Sequence, residues 1–492
     1  MAYLHGTSGE VFANGNRIAT QSEGNAFVYI GTAPVNQVVG GAKNVNMPIK
    51  CRDFAEFKKY FGYSDNWADY TLCEAAYVHL RQRGVGPIVC INVLDPDNES
   101  VRSATSGSAS LTPVGGVCTL SGAENIIIDT ARLATKTYGE DYSVSYDEVK
   151  KCIYFRELVK GALGTAALTA TWQSVDPSQV TEDMLIGSTD DEGLNTGLYA
   201  VKNVYSKCYM IPAFLFAPGF SSSKAVHDVL IDLSHKINNH WDAFVYADLP
   251  LISGGSYLNL TTAPAWADSN GYRKENEKIF FPMAKGTDEK RYHLSVLAAA
   301  NLQARILDNG GIPYVSSSNT ACEIIQQLYA GEEQDKRVYD DDVINRKLNQ
   351  YGVCSAAYVG GRWAIWGAHA ASYNYQDGDH INVSETCLMM LYYLSNSFQD
   401  RRVFDVDQPL TANDIKSIVA QEQERVDALI KAGALTWGEV HCADSLEHLA
   451  DVMMGDHIFE YNVTTTPIAK SLKVNVNHTD EGYTTYFVTG EE

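Results

Sequence analysis

The most regular pattern of apolar and polar residues lies near the end of the chain, between Val403 and Gly433. Thr411 is a suitable N-cap, Asp414 three residues later completes a capping-box pair, and Gly433 stands where a left-handed residue commonly ends a helix. The pattern predicts a helix over 411–432 with an apolar face made of Ile415, Ile418, Val419, Val426, Leu429 and Ile430. The remaining surface or its border receives Lys416, Glu422, Glu424, Arg425 and Asp427.

Short β-type runs follow this helix. Residues 438–441 and 458–463 read as strands, and 472–477 alternate between apolar and polar residues. In that last run Leu472, Val474 and Val476 lie on one side of a predicted strand. A second β-prone run covers 483–488 after a turn.

The first hundred residues alternate between strand and helix patterns. An apolar strand begins at Ala26, a short helix capped by Asp53 ends at Gly62, and a second helix covers 70–81. A wholly apolar strand, 88–94, follows a glycine turn. Helices between strands of this kind predict a layered α/β unit.

The amino-acid composition changes between residues 95 and 191, which are rich in Ser, Thr and Gly. Short β-type runs recur there, at Val117–Leu120, Asn125–Asp129, Tyr142–Ser145, Cys152–Phe155 and Leu168–Trp172. Such spacing predicts a small β-sandwich or barrel inserted into the α/β unit.

The α/β pattern resumes after residue 192. An apolar run to Gly219, a helix over 223–238 and a strand over 242–247 form a βαβ pattern. A long helix is predicted over 295–307. A further helix, 384–394, is apolar on nearly all sides and is predicted to lie in the central core.

Composition narrows the function classes. A chain of 492 residues predicts two to four domains. Its net charge of −22 argues against a general nucleic-acid surface and against an anionic membrane face. No signal-peptide pattern and no apolar run of roughly 20 residues is present, so we expect a soluble protein made in the cytosol. The ten cysteines are scattered singly, which favours reduced core residues.

Motifs for catalysis or cofactor binding are absent from the sequence. It contains no Gly-x-Ser-x-Gly, P-loop, Gly-x-Gly-x-x-Gly or His-Glu-x-x-His motif. His235 and His240 are five residues apart, a poor spacing for one helical face, and the acidic runs 189–192 and 340–342 lack calcium-loop spacing. We therefore expect no catalytic, cofactor-binding or metal residues.

The order of these pieces resembles contractile-tail sheath proteins of bacteriophages and phage-tail-like particles. The resemblance lies in Gln408-Pro-Leu-Thr411, the amphipathic helix, Ala432-Gly-Ala-Leu435 and the alternating strand that closes the chain. The Gly-Thr-Ala turn at 31–33 and the Phe-Gly helix end at 61–62 also agree. Trp-Gly-Ala at 366–368 matches too, but His369-Ala370 stand where the family usually has Arg-Thr, so that arginine's contact is in doubt here.

The resemblance implies an α/β (α+β) multidomain fold, with a subtilisin-like layered core, the inserted β-sandwich or barrel on the outside, and extended terminal arms. The predicted segments are an N-terminal arm 1–24, core 25–94, insertion 95–191, core 192–375, C-terminal sheath domain 376–470 and C-terminal arm 471–492. Linkers near 21–25 and 464–470 are expected to be flexible.

The function implied by the resemblance is structural. Copies of the chain would polymerise into stacked hexameric rings around a tail tube and contract to drive the tube through a cell envelope. The expected partners are other copies, the tube protein, and baseplate and tail terminator proteins, with no direct contact to nucleic acid or membrane. The expected location is the virion tail, assembled in the host bacterial cytoplasm.

Two groups of residues carry this hypothesis. The first would link subunits by adding strands to a neighbour's sheet edge: Val11, Phe12, Leu472, Val474, Val476, Tyr483, Tyr486 and Phe487. The second, Lys416 and Arg425, would face the tube.

Two other function classes remain open from the sequence alone. One is a cytosolic α/β enzyme with a β-domain insertion. The other is an acidic structural shell or surface-layer protein. An enzyme would have a polar pocket and form a small oligomer, whereas a sheath protein would polymerise.

Overall fold

A nine-stranded mixed sheet forms the centre of the molecule. The computed structural model describes residues 24–328, 340–375, 384–443, 452 and 454–486. The strands of the sheet are β1 (Asn25–Gly31), β2 (Ile49–Cys51), β3 (Ile88–Asn92), β10 (Ile211–Phe216), β11 (Phe244–Asp248), β14 (Glu277–Phe280), β17 (Thr320–Ala321), β19 (Val353–Val359) and β20 (Arg362–Trp366). Their spatial order is β17-β20-β19-β14-β11-β10-β1-β3-β2.

The six middle strands, from β3 to β19, run parallel, and the outer strands β2, β20 and β17 are antiparallel to their neighbours. β1 and β11 are buried along almost their whole length, because helices cover both faces of the sheet. Phe27 and Tyr29 pack on one face, and Val28 and Ile30 on the other. The mixed α/β class predicted from the sequence is confirmed.

Ten α-helices surround the sheets in the described residues. They are α1 (Phe54–Phe61), α2 (Thr71–Ala76), α3 (Glu182–Ile186), α4 (Val204–Cys208), α5 (Lys224–Leu233), α6 (Thr262–Asn270), α7 (Leu294–Asp308), α8 (Asp341–Lys347), α9 (Glu385–Arg402) and α10 (Ala412–Lys431). α7 packs on one face of the sheet and α5 on the other. Asp53 caps α1, as predicted, by accepting a hydrogen bond from the Glu56 N–H. α2 continues as a π-helix over Tyr77–Arg83.

Residues 107–172 form two small antiparallel sheets. One contains β4 (Gly107–Leu111), β6 (Arg132–Leu133) and β9 (Leu168–Trp172), and the other β5 (Val117–Ser121), β7 (Tyr142–Asp147) and β8 (Cys152–Glu157). Their apolar residues share one cluster, which includes Cys118, Tyr142, Phe155 and Ala170. The cluster is separate from the clusters of the large sheet.

Three further small sheets complete the described strands. β12 (Ile252–Ser253) pairs with β13 (Ser256–Tyr257), and β15 (Met283–Gly286) lies between β16 (Arg291–Tyr292) and β18 (Ile324–Leu328). β21 (Leu435–Cys442) and β22 (Phe459–Thr465) form an antiparallel hairpin near the C-terminus.

Two predicted elements differ from the structure: one ends earlier than predicted and the other forms a turn in place of a strand. The helix predicted over 223–238 ends at Leu233, because the chain turns there and Lys236, Asn238 and Asn239 adopt left-handed backbone angles. The β-type run Asn125–Asp129 forms no strand. The Thr130 N–H bonds to the Ile127 carbonyl, which closes a 3₁₀ turn instead.

Helix α9 is longer and less apolar than predicted. It extends to Arg402 rather than stopping near Leu394. Its buried residues include Asn396 and Asp400, which look like surface residues in the sequence. The Asn396 side chain bonds to both backbone groups of Asp242, and Asp400 accepts a hydrogen bond from the Tyr205 hydroxyl at 2.8 Å. These bonds allow polar side chains to be buried in the second half of the helix.

The first residue of α9 belongs to a buried ion pair with the central sheet. Glu385 and Lys278 of β14 are both fully buried, with Lys278 Nζ 2.8 Å from Glu385 Oε1. The carboxylate also accepts hydrogen bonds from the Tyr246 hydroxyl, the Ser316 hydroxyl and the Ser317 N–H. A buried pair persists when its remaining bonding sites are filled in this way. The network fixes the start of α9 on the sheet.

Replacing Lys278→Met should destabilise the protein by about 3 kcal/mol or more, because Glu385 would stay buried without its counter-ion. We expect the midpoint of thermal unfolding to fall by roughly 10 °C. Lys285→Met on β15 is the matched control, since Lys285 pairs with Glu289 at the surface and should cost less than about 1 kcal/mol. Equal midpoints for the two variants would contradict this account.

Candidate assembly surface

Helix α10 organises the C-terminal part of the chain. It spans Ala412–Lys431, and its capping box is present, with the Thr411 N–H donating to Asp414 at 2.8 Å and the Asp414 N–H to Thr411 at 3.3 Å. The Thr411 hydroxyl also donates to the Asp414 carboxylate at 2.6 Å, and the hydrogen bonds from this hydroxyl and from the Thr411 N–H lower the pKa of Asp414. Gly433 follows the helix with φ of +80°. The predicted helix and both of its end signals are confirmed.

Glu422 on this helix is buried, which corrects its assignment to the surface or its border. Arg401 and Arg402, at the end of α9, both bind its carboxylate, with the closest Arg401 contact at 2.6 Å. The Tyr461 hydroxyl of β22 donates to the same carboxylate at 2.9 Å. One buried carboxylate therefore joins α9, α10 and the hairpin. We call these four side chains the carboxylate clamp.

Charge keeps Glu422 ionised despite its burial. Burial by itself would raise the pKa of Glu422, but the hydrogen bonds and charges of Arg401 and Arg402 outweigh it and hold the pKa below its usual range. A carboxylate of this kind stabilises the fold above its unfolded-state pKa. The stabilisation is lost as the pH falls through the lower folded-state pKa.

An apolar cluster beside the clamp holds the same elements together. Its buried members are Met390, Leu394, Val426, Leu429, Ala434, Leu435 and Val440, from α9, α10 and β21. Gly438 allows β21 to approach the helix closely, because a Cβ at this position would lie 2.5 Å from a Val426 methyl group.

The two edges of the hairpin differ. The side-chain amide of Gln423 donates to the Gly438 carbonyl at 3.2 Å and accepts from the Val440 N–H at 2.8 Å, so backbone groups of β21 are already occupied. β22 pairs with β21 alone among the described strands. Its other edge is therefore the more open one.

A groove of about 400 Å³ lies between β22 and α9, and the polar residues Lys236, Asn239, Ser395 and Gln399 line part of it. Its apolar walls are formed by Leu391, Leu394, Phe398, Phe459, Tyr461 and Val463. We call it the hairpin groove. The Phe398 ring stands 5.5 Å from that of Phe459, so aromatic side chains line the side of the hairpin next to its open edge.

The segment predicted as a C-terminal arm is largely exposed in the single chain. Residues 466–479 form no helix or strand, and Leu472, Val474 and Val476 are 92%, 80% and 88% exposed. The strand predicted over 472–477 is thus absent in the single chain, because an isolated strand has no partner for its backbone hydrogen bonds. The second β-prone run is also wrong for a single chain in its described part, since Glu481–Tyr486 form a 3₁₀ helix.

The start of the arm is tied to the body, unlike the flexible linker expected over 464–470. The Thr466 hydroxyl donates to the Gly433 carbonyl at 2.6 Å. Lys470 donates to the Tyr373 hydroxyl at 2.8 Å and lies 5.1 Å from the centre of the Tyr375 ring. The arm therefore leaves the body after Lys470, close to the predicted boundary.

The other predicted site residues are partly described. Lys416 and Arg425 are exposed on α10, with Arg425 Nε 3.6 Å from the carboxylate of Glu422. Tyr483 is 54% exposed and near His478. Val11, Phe12 and Phe487 lie outside the described residues, as does the side chain of Tyr486.

The next features concern metal binding and membrane insertion in the part of the chain that the structure describes. It holds no group of three or more residues suited to binding a metal ion, and none of its helices is long and apolar enough to cross a membrane. His235 and His240 are exposed. Eight of the ten cysteines are buried, as predicted for core residues.

Sequence reasoning missed the carboxylate clamp, although one signal was present. Glu422 lies four residues after Ile418 and four before Val426, in the middle of the apolar face. Arg401 and Arg402 stand at the end of a helix whose length was underestimated. Their pairing with Glu422 depends on how two helices pack, which the periodicity of one helix does not contain.

No family model matches the chain. The tail sheath protein of Burkholderia phage BcepMu is 25% identical to it over 510 residues and is matched over 97% of both chains. The resemblance to contractile tail sheath proteins is thereby confirmed at the level of the whole chain.

Solved structures share the fold. The sheath of the extracellular contractile injection system PVC, in its contracted state, matches 98% of this chain and all of its own, with a TM-score of 0.54 and 10% identity. The contracted helical sheath of the anti-feeding prophage matches 97% of this chain and all of its own, with a TM-score of 0.54 and 11% identity. At such identities the likeness concerns the fold.

Replacing Glu422→Gln should loosen the C-terminal part of the chain, because Arg401 and Arg402 lose the carboxylate that they share. We expect hydrogen exchange in α10 and the hairpin to become faster by the equivalent of about 3 kcal/mol at neutral pH. The difference from wild type should shrink as the pH falls through the lowered pKa of Glu422. Glu424→Gln, an exposed position on the same helix, is the control and should change exchange by less than about 0.5 kcal/mol.

Proposed function

We propose that the chain is the structural subunit of a contractile tail sheath, which polymerises around a tail tube and contracts. The single observation that carries the proposal is the exposed, alternating arm beside a hairpin with an open edge and a partly apolar groove. Relatedness along the whole chain to a phage tail sheath protein supports it. The role is association, and no catalytic step is assigned to any residue.

The arm of one subunit would form a third strand at the open edge of β22 in another. An added strand places alternate side chains on one face of the sheet. Leu472, Val474 and Val476 would then enter the hairpin groove, over Leu394 and Phe398. Lys473, Asn475 and Asn477 would face solvent. The same segment that has no partner in one subunit would have both backbone and apolar partners in the assembly.

Apolar contacts and backbone hydrogen bonds would both stabilise such a link. Burying one Val or Leu side chain contributes about 1.5–3 kcal/mol, and each backbone hydrogen bond adds about 0.5–1.5 kcal/mol. These gains are of the same order as the loss of about 1–2 kcal/mol per residue when a flexible segment becomes ordered. Many such arms in one cylinder act together.

The remaining parts of the proposal concern rings, motion and other partners. Subunits would stack as hexameric rings, with the arms keeping neighbours linked while the bodies rotate about the segment after Lys470. Lys416 and Arg425 would face the tube protein, and the ends of the cylinder would contact baseplate and tail terminator proteins. The same proposal includes the subtilisin-like layering of the core and the outward position of 95–191. It also includes assembly in the bacterial cytoplasm and a place in the virion tail.

The alternative from another function class is an enzyme with an inserted β domain. No observation favours it over the sheath, whereas an acidic shell protein would share the property of self-association. The geometry of the cylinders separates the two structural roles, since a sheath must enclose a tube of uniform width.

Replacing Val474→Asp together with Val476→Asp should abolish or strongly shorten the cylinders formed by the purified chain. Each charge would have to enter the hairpin groove, which costs several kcal/mol. Negative-stain electron microscopy and sedimentation measure the effect. Lys473→Asp with Asn475→Asp is the control on the opposite face and should leave cylinders present. Cylinders of normal length from the first variant would refute the arm docking, and compact particles from wild type would refute the sheath role.

Replacing Lys416→Glu should weaken co-assembly with the tube protein while leaving self-assembly of the sheath intact, because this exposed lysine lies outside the carboxylate clamp. Co-sedimentation with preformed tubes at low and high salt measures it, and the difference should decrease with salt. Lys431→Glu, at the other end of α10, serves as a control. Unchanged co-sedimentation at low salt would remove Lys416 from the tube-facing surface.

A further inference from the structure

Three arginines surround one open pocket at an edge of the nine-stranded sheet. Arg83, Arg305 and Arg362 line a cavity of about 430 Å³ with Asn301 and Asn319. The pocket lies beside β17, the last strand in the sheet order. It is far along the sheet from β2 and is separate in its lining residues from the hairpin groove. We call it the arginine pocket.

Backbone carbonyl groups hold each guanidinium in place. Arg83 donates to the Ala321 carbonyl, and Arg305 Nη1 to the Ser316 carbonyl at 2.5 Å. Arg362 Nη2 lies 3.3 Å from both the carbonyl and the side-chain oxygen of Asn319. These contacts use only some of the five N–H donors of each arginine. The side chains are therefore pre-positioned, with donors left for a ligand.

The positive charge of the pocket is not neutralised within the described residues. No carboxylate there forms an ion pair with Arg83, Arg305 or Arg362. Glu323 lies two residues after Ala321 in the sequence, and its carboxylate accepts a hydrogen bond from Gln82 at 3.0 Å. In a chain of net charge −22, three arginines in one cavity without an ion pair among the described residues are a distinctive feature. Such a cavity is suited to carboxylates, which arginine binds in a bidentate manner.

The buried thiol of Cys322 shows that the charges act together. Burial raises the pKa of Cys322 to about 12, while the charges of Arg83 and Arg362 both pull it downward. Both guanidiniums are therefore close enough to one point for their fields to add.

A complementary acidic surface exists elsewhere on the chain. Asp190, Asp191 and Glu192 are exposed in the loop between α3 and α4 and form no ion pair within the described residues. Asp190 accepts hydrogen bonds from the Glu192 and Leu194 N–H groups, at 3.0 and 2.7 Å, so the loop has a defined shape. None of these residues lines the arginine pocket of its own chain.

We propose that the arginine pocket is a contact site between two copies of this chain, in which it receives the carboxylates of the 190–192 loop of the second copy. The inference rests on the proposed function, since it requires self-association. Paired charges at an interface fix the register of the partners and speed their encounter. The site would set how neighbouring bodies align, whereas the C-terminal arm would only keep them linked.

The test reverses the charge of the pocket and then of the loop in the full-length chain. Arg83→Glu with Arg362→Glu should raise the protein concentration needed for cylinder formation at least about tenfold. Arg305 is left unchanged because it holds the backbone of Ser316. Adding Asp191→Arg and Glu192→Arg to that variant should restore assembly, because the complementary charges are exchanged. Sedimentation and electron microscopy measure both steps.

Controls separate the possible failures. Lys160→Glu with Lys207→Glu reverses two exposed charges outside the pocket and should leave the critical concentration within about twofold of wild type. Should the pocket variant fold poorly, Arg83→Gln with Arg362→Gln removes the charge without adding a new one, and the same direction of change is expected.

Three results would overturn the inference. Wild-type-like assembly of the folded pocket variant would exclude the pocket as a contact site. Loss of assembly that the loop exchange fails to restore would exclude the 190–192 loop as its partner. A wild-type chain that forms no cylinders would instead refute the proposed function, on which the inference depends.

Discussion

Buried charge constrains helix α9 at both of its ends. At the first residue, Glu385 pairs with Lys278 inside the central sheet. At the last residues, Arg401 and Arg402 bind the buried carboxylate of Glu422 on α10. Because an unpaired buried charge is costly, neither end can leave its partner without a large loss of stability. The 18-residue helix therefore acts as a rigid connection between the core sheet and the C-terminal hairpin.

This rigid connection matters for the proposed assembly. The hairpin groove is formed partly by α9 and partly by β22, so its shape depends on the position of the helix relative to the hairpin. The carboxylate clamp fixes that position, since Tyr461 of β22 bonds to the same carboxylate as the two arginines. An arm docked at β22 would then transmit force to the core sheet through α9. The start of the arm is held by Thr466 and Lys470, whereas Leu472, Val474 and Val476 are exposed.

The two surfaces proposed for assembly, the hairpin groove and the arginine pocket, would bind through different interactions. The hairpin groove offers apolar area and an open backbone edge, which give strength with little dependence on salt. The arginine pocket offers charge, which gives orientation and depends on salt. Subunits linked by the first and aligned by the second could change their alignment while remaining connected. A contractile cylinder needs that combination, because its subunits must rearrange without separating.

The sequence by itself determined the elements whose signals are local. The apolar strands β1 and β3, the caps of α1 and α10 and the short strands β5, β7, β8 and β9 could be predicted, because strand burial, capping and turns depend on neighbouring residues. The resemblance to sheath proteins likewise followed from the order of such elements. Tertiary structure alone decided which polar residues are buried. In the sequence, Glu422, Asn396 and Glu385 look like surface residues. In the fold they are buried, because their respective partners Arg401, Asp242 and Lys278 lie beside them. It also decided that the 472–477 segment forms no strand in the single chain, because the segment pairs with no sheet edge among the described residues of its own chain.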